Sequence, residues 1–355
     1  MSPESQLLFY CSRPTLRDSH IQLLSQLCQT NELDWQLIFA TAERHGITPL
    51  VYTNLKQLSL SDLHFSSEMR TRFEQALFRN VAAKGYLLQK LTDALAFLNA
   101  KDVPVMAIKG AALDLIAYEQ PWYTISGDID LVLKPRVEAL PQSDYQEIAH
   151  FFWNFPGCEY DFFEHHDITI NGIVPVDFGQ IWEDAIEIDF RQHRIQIMSP
   201  EDRLIAACIN SCRKRYFRLK SLADIAVLIE GNSGINWDRL VAKSRSYGCS
   251  AIVYTALFIA KQVMDVQLPE GLLSRLRPTL PQAITIRWLS RRLRRVLDPG
   301  FKTEHVLFGR TIDQTLLLAY ASYTFSQLWH KVNYAWKTRK QPPKGPSIRF
   351  VGKAG

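Results

Sequence analysis

Two aspartates, Asp128 and Asp130, stand two positions apart in a short apolar segment and could together bind a divalent cation. The segment reads Gly-Asp-Ile-Asp-Leu-Val-Leu from Gly127 onward. Ile129 and Leu131 alternate with the acids, and this period of two predicts a strand on which both carboxylates point to one face. Two neighbouring carboxylates repel each other. A hard cation such as Mg²⁺ or Mn²⁺, which prefers oxygen ligands, would relieve that repulsion.

An acid-x-acid pair is weak evidence when it stands alone. The chain has 36 acids among 355 residues, so chance gives about four such pairs. Glu187 and Asp189 form another one, which a surface strand explains equally well. The order of features before the first pair makes it more specific. A predicted strand is followed by Lys109-Gly110, a short helix and a loop that ends at Gly127.

Lys109 and Gly110 follow a strand predicted at 103–108 and precede a helix predicted at 111–118. Gly110 would let a phosphate approach the backbone, and the start of a helix offers unpaired N–H groups to an anion. Lys109 could neutralise part of the phosphate charge. The alternative is a solvated strand end with a turn glycine after it, and the nearby acid pair favours the functional interpretation.

A third carboxylate, Asp177, lies between Val176 and Phe178. On a strand it would point away from the side on which its two neighbours pack. With the first two acids it would complete a site for two Mg²⁺ or Mn²⁺ ions, which stand about 3.5–4 Å apart in such centres. Pro175 lacks an N–H group, so this strand is expected at a sheet edge or at a bulge. Asp189 is the next candidate if Asp177 lies elsewhere.

Together these motifs resemble the nucleotidyltransferase superfamily whose best-known member is DNA polymerase beta. They resemble more closely an uncharacterised bacterial nucleotidyltransferase family, in which Lys-Gly precedes a helix and a strand of the form Asp-Ile-Asp-Leu. The resemblance extends over most of the chain. The similar segments are Ala42–Leu50, Ala107–Ala112, Gly127–Leu133, Val176–Phe178, Ser199–Asp202 and Leu219–Leu228.

The resemblance implies transfer of a nucleoside monophosphate from an NTP to an acceptor, with release of pyrophosphate. It implies that Asp177 helps to deprotonate the acceptor hydroxyl as a general base. The metal ligands and catalytic residues that it implies are Asp128, Asp130 and Asp177. The nucleotide-binding residues are Lys109, Gly110 and Gly127. A small molecule, a protein side chain and an RNA end all stay open as acceptors, because acceptor choice depends on the shape of the pocket.

Two positions depart from the family pattern. Thr124 stands where an Arg is common before the Asp-x-Asp segment, and Gly179 stands where a His is common after the third Asp. A degenerate protein that binds nucleotide without turnover is therefore an alternative. A nucleic-acid-binding module that uses basic helices is another, and a steep loss of binding with salt would support it.

The elements around these residues predict an α+β fold. A small mixed-sheet nucleotidyltransferase core at residues 102–198 is flanked by helical regions at 1–101 and 199–340, and a basic flexible tail follows at 341–355. Asp34 and Ser66 are predicted to cap helices, as is Ser199. Asn171-Gly172 predicts a hairpin between strands at 163–170 and 173–178, and two further strands are expected near 186–190 and 194–197.

Composition limits the class of protein further. Hydrophobic residues make up 47% and charged residues 22% of the chain, which excludes a disordered chain. A net charge of +5 is below that of a dedicated nucleic-acid binder. The six cysteines form no Cys-x-x-Cys pair, which favours reduced thiols. No signal peptide is recognisable, and the longest apolar run is too short to cross a bilayer. We therefore expect a cytoplasmic protein without integral membrane association.

Overall fold

A computed structural model describes residues 2–30, 32–58, 66–134, 142–155, 158–162, 178–214, 216, 218–231, 234–278, 280, 283–284 and 286–287. The helices in this part of the chain are α1 (Pro3–Cys11), α2 (Asp18–Thr30), α3 (Trp35–His45), α4 (Thr48–Leu55), α5 (Ser67–Ala100), α6 (Lys109–Ile116), α7 (Gln142–Trp153), α8 (Phe178–Glu183), α9 (Pro200–Arg213), α10 (Leu219–Glu230), α11 (Trp237–Ser246), α12 (Ser250–Met264) and α13 (Leu272–Arg275). The strands are β1 (Val105–Ile108), β2 (Ile129–Leu133), β3 (Cys158–Phe162), β4 (Ile186–Phe190) and β5 (His193–Ile197).

The predicted helix caps are confirmed. Asp34 accepts a hydrogen bond from the backbone N–H of Leu37 at 2.9 Å, and Ser66 accepts one from Met69 at 3.2 Å. Ser199 also caps the helix that follows it. Such side-chain acceptors satisfy N–H groups that the first turn of a helix leaves unpaired. These local signals therefore define where α3, α5 and α9 begin.

The strands form one mixed sheet in the order β3-β2-β1-β5-β4. β1 pairs with β2 in the antiparallel direction and with β5 in the parallel direction. β2 and β3 are parallel, whereas β4 and β5 are antiparallel. Pro104 lies before the first residue of the central strand β1, so its missing N–H does not interrupt the ladder. Its carbonyl accepts a hydrogen bond from the backbone N–H of Lys134. The predicted α+β fold, a mixed sheet with helical flanks, is confirmed.

Each face of the sheet carries its own hydrophobic core. Met106, Ile108 and Val132 face a core that they share with α1–α4, the first part of α5 and α9–α12. Ile129 and Leu131, on the opposite face, pack with the second half of α5 and with α7. The helices before and after the sheet therefore share one core in space, although the chain separates them. The predicted domain bounds stay predictions.

Several sequence expectations need correction or lie outside the described residues. Strand β3 has no counterpart among the predicted strands, and Phe178, expected at the end of a strand, begins helix α8. The hairpin at 171–172 and everything after 287, including the predicted basic tail, lie outside the described residues. Within the described residues, no helix combines the length and apolar character needed to cross a bilayer.

Candidate functional site

The candidate site forms where the end of β1 meets the start of β2. The antiparallel register places Ile108 opposite Asp130. Lys109, which follows Ile108 directly, is thereby brought next to Asp130, and its ammonium nitrogen Nζ contacts the carboxylate oxygen Oδ1. The sheet register thus unites the Lys-Gly and Asp-x-Asp motifs predicted from the sequence.

Asp130 is buried, whereas Lys109 is partly exposed and has a left-handed backbone conformation. The Asp130 side chain is 10% exposed and the Lys109 side chain 37% exposed. Lys109 has a φ of +55°, a left-handed conformation that costs a non-glycine residue free energy. Helix α6 starts there with no side-chain cap from Ile108. Strain of this kind is often found at functional sites.

Asp128 lies just before β2 and is exposed. It lines a narrow cleft with Ile129, with Lys84 and Leu87 of α5, and with Asp114 of α6. The cleft therefore brings an apolar helix face, a buried cation and a second carboxylate beside one of the two predicted metal ligands.

The two site glycines differ in their surroundings. A Cβ atom built on Gly110 would lie 3.5 Å from the Cβ of Ser126, which is ordinary contact. A Cβ atom built on Gly127 would meet nothing within 4 Å. Packing therefore does not require glycine at position 127, and its exposed backbone is open to a ligand.

The third predicted carboxylate, Asp177, lies outside the described residues. The next residue, Phe178, is 2% exposed and begins α8. The fallback residue Asp189 lies on β4, at the edge of the sheet. β1 and β5 separate that strand from β2, which is about 14 Å at the usual strand spacing. Asp189 is therefore wrong as a replacement. Among the described residues, no three His, Cys, Asp or Glu side chains cluster as a metal site.

The loop that ends at Gly127 is held by residues outside the two predicted motifs. Asn80 of α5 donates from Nδ2 to the carbonyl oxygens of Trp122 at 2.6 Å and Thr124 at 3.3 Å. The backbone N–H of Ile125 donates to the carbonyl of Gly46 at 3.1 Å. The long helix α5 and the turn between α3 and α4 therefore fix the path of this loop.

Lys84, one helical turn after Asn80, is another residue outside these motifs. Its side chain is 1% exposed, and its ammonium group contacts Asp114 and donates to the hydroxyl of Ser126. Ser126 also donates to Asp114 at 3.3 Å. Burial lowers the pKa of Lys84 and raises the pKa of Asp114, and their mutual attraction opposes both shifts.

A sequence signal for Asn80 and Lys84 did exist. The buried face of α5 includes Phe73, Leu77, Leu87 and Leu91, and both polar residues fall on that same face. Two polar residues on an otherwise apolar stripe are seldom buried without partners. The positions of Asn80 and Lys84 on this stripe therefore indicate buried polar contacts, although not with which partners.

A second buried polar group connects the site region with the C-terminal helices. Tyr118, just after α6, donates from its hydroxyl to Asp224 of α10 at 2.7 Å, and Lys220 donates to the same carboxylate at 2.9 Å. Burial, together with the charge of Asp224, raises the pKa of Tyr118. The helix that follows Gly110 is thus tied to α10.

The two departures from the family pattern have different surroundings. Thr124 is 1% exposed, so its side chain faces the interior. Gly179 is the second residue of α8. Thr124 carries no charge, so this point of the loop provides no side-chain cation.

The residues present fit a divalent cation. Asp128 and Asp130 provide carboxylate oxygens, which are the ligands that Mg²⁺ and Mn²⁺ prefer. A positive group, the Lys109 ammonium, already lies against Asp130 Oδ1. The place beside this buried carboxylate thus favours positive charge.

The described residues form an α+β protein in which a mixed sheet has helical flanks and a carboxylate pair lies at the start of one strand. The chain belongs to an uncharacterised nucleotidyltransferase family, whose model matches residues 31–265. That match includes the site, the turn at Gly46 and the helices through α12. No curated protein and no solved structure matches the chain.

Proposed function

We propose that this protein is a metal-dependent nucleotidyltransferase that moves a nucleoside monophosphate from an NTP to an acceptor. The observation that carries the proposal is the junction of Lys109-Gly110 with Asp128 and Asp130 at one end of β1 and β2. A phosphate-binding element beside paired carboxylates is the arrangement that phosphoryl chemistry needs. The family match supports the same reaction class.

In this reaction an acceptor oxygen bonds to the α-phosphorus of the NTP. The bond from that phosphorus to the oxygen that bridges to the β-phosphorus breaks, and pyrophosphate leaves with the bonding electron pair. Two Mg²⁺ or Mn²⁺ ions, when bound, supply positive charge that offsets charge on the attacking and leaving oxygens.

The residues of the chain have distinct proposed roles. Asp128 and Asp130 hold the metal, and Asp177 joins them and accepts the proton of the acceptor hydroxyl. Lys109 exchanges its contact with Asp130 for the phosphates, and the backbone at Gly110 and Gly127 lies close to them.

The decisive experiment incubates the protein with labelled NTPs, Mg²⁺ or Mn²⁺, and a fractionated cell extract. Transfer of label to one component, together with pyrophosphate release, identifies the acceptor as a small molecule, a protein or an RNA. The Asp130→Asn variant sets the background. If no fraction of the extract contains a component labelled above this background, the transfer reaction is contradicted.

The second candidate function is nucleotide binding without turnover. The burial of Thr124 favours it, because an Arg common at this position in the family is replaced by an uncharged side chain that faces inward. Calorimetry that shows NTP binding, in a protein for which no acceptor yields pyrophosphate, supports this candidate. The nucleic-acid-binding alternative stays a prediction, to be tested by the salt dependence of binding.

A further inference from the structure

We propose that Lys84 is a positioning residue for Asp128, acting through Ser126. The inference rests on the proposed function, because it gives Asp128 the role of a metal ligand. Lys84 lies on α5, 44 residues before Asp128 in the sequence, and no sequence motif joins the two.

The first step of the argument is the contact geometry. The Lys84 ammonium donates to the Ser126 hydroxyl, and Ser126 stands two residues before Asp128. Asp114 holds the same ammonium and accepts from Ser126 at 3.3 Å. Three side chains from α5, α6 and the loop therefore close a triangle of polar contacts directly before β2.

The second step is the cost of this arrangement. Lys84 is 1% exposed and Asp114 is 9% exposed at the side chain, and burying two charges in an ion pair adds little net stability. Such a pair can instead fix one conformation among several. Here the conformation that it fixes is that of the loop that carries Asp128.

The third step concerns the neighbours of the triangle. Ser126 packs beside Gly110, and Lys84, Asp114 and Asp128 line one cleft. A shift of Ser126 would therefore move both the Lys-Gly and the Asp-x-Asp sides of the candidate site. Partners one step removed from a metal typically change its affinity about 10–100-fold when they are mutated.

The test measures two properties of the purified full-length protein. The first is hydrogen exchange of the amides between Ile125 and Asp128, and the second is the affinity for Mn²⁺ alone. We expect Lys84→Met and Ser126→Ala each to raise the exchange and to weaken Mn²⁺ binding about tenfold. The two effects should add incompletely in the double variant, because both act on one contact. Lys84→Arg should restore part of the affinity.

Lys90→Met is the matched control. Lys90 is also a buried lysine of α5, but its ammonium lies 4.7 Å from the ring centre of Phe155 and 4.8 Å from that of Tyr86. Loss of this cation should leave both measurements at the wild-type value. Ser126→Ala, which removes one hydroxyl, keeps the test decisive if Lys84→Met does not fold.

The outcomes separate the inference from the proposed function. Folded Lys84→Met and Ser126→Ala variants with wild-type exchange and wild-type Mn²⁺ affinity overturn the positioning role, even if Asp128→Asn abolishes Mn²⁺ binding. Faster exchange without any Mn²⁺ effect leaves Lys84 a structural residue only and also overturns it. A wild-type protein that binds no Mn²⁺, with or without NTP, overturns the proposed metal site itself.

Discussion

The ammonium of Lys109 contacts Oδ1 of Asp130, so the proposed phosphate-binding residue and a proposed metal ligand are paired with each other. The antiparallel register of β1 and β2 causes this contact, because it sets Ile108 opposite Asp130. Lys109 is partly exposed, so this pair is open to exchange with solution. A metal–NTP complex would give each partner a new counter-charge.

Asp128→Asn, Asp130→Asn and Asp177→Asn should each reduce pyrophosphate release by about 100-fold or more, as the loss of a group that stabilises transition-state charge does. Asp93→Asn is the control, because Asp93 is an exposed residue of α5 that accepts a hydrogen bond from Gln89. A steady-state assay with the identified acceptor measures the rates. Near-normal turnover in Asp130→Asn would contradict the metal-ligand role.

Lys109→Ala and Lys109→Gly should both weaken NTP binding and slow transfer, since charge on the phosphates grows toward the leaving pyrophosphate. They should differ in stability. A φ of +55° suits glycine but disfavours alanine by about 1 kcal/mol. Urea unfolding should therefore give Lys109→Gly the higher free energy of unfolding of the two, and the reverse order would argue against the left-handed backbone.

Gly127→Ala should leave the free energy of unfolding within about 0.5 kcal/mol of wild type, as most surface substitutions do. The added methyl group meets no protein atom within 4 Å, but it would obstruct a phosphate at the backbone. NTP affinity by calorimetry should fall. Gly85→Ala, at an exposed position of α5 with equally open surroundings, is the control and should bind NTP normally. Equal affinities for both variants would exclude Gly127 from the nucleotide site.

Mg²⁺ or Mn²⁺ with NTP should raise the melting temperature, because ligand binding to the folded state adds about 2.7 kcal/mol at a ligand concentration of 100 Kd. Asp128→Asn should remove most of this increase, and chelation by EDTA should reverse it in the wild type. Differential scanning fluorimetry provides the measurement. An unchanged increase in Asp128→Asn would place the ions elsewhere.

Asp184 predicts a pH dependence of stability. Burial alone would raise the pKa of its carboxyl group, but hydrogen bonds from Lys243 and Arg239 outweigh burial and lower it. A lowered folded-state pKa contributes stability above the unfolded pKa, near 4 for aspartate, that is lost as pH falls through the folded value. Asp184→Asn should therefore lose about 1–3 kcal/mol at pH 7, and this difference should shrink below about pH 4.

Asp238→Asn provides the comparison for this pH effect. Asp238 is 82% exposed at the side chain and pairs with Arg275 at 2.5 Å, and exposed ion pairs contribute little stability. Chemical unfolding between pH 3 and pH 7 should show a pH-dependent loss for Asp184→Asn only. A constant difference between Asp184→Asn and wild type over this range would contradict the assignment.

Much of the fold follows from local sequence signals. The period of the apolar residues predicted β2. Asp34, Ser66 and Ser199 marked helix starts, because capping depends on a residue and the three that follow it. The Lys-Gly and Asp-x-Asp motifs also identified the two sides of the candidate site, since their spacing reflects one strand–helix–loop–strand unit.

What the amino-acid sequence alone determined is the type and order of most elements and the residue types that the candidate site contains. The tertiary structure alone decided which distant residues meet. The parallel pairing of β1 with β5 places β4, which carries Asp189, at the edge of the sheet, three strands away from β2. The packing of α5 brings the Lys84 ammonium into contact with Ser126. Sequence periodicity indicates that a side chain is buried, but only long-range packing selects its partner, because that choice depends on all elements at once.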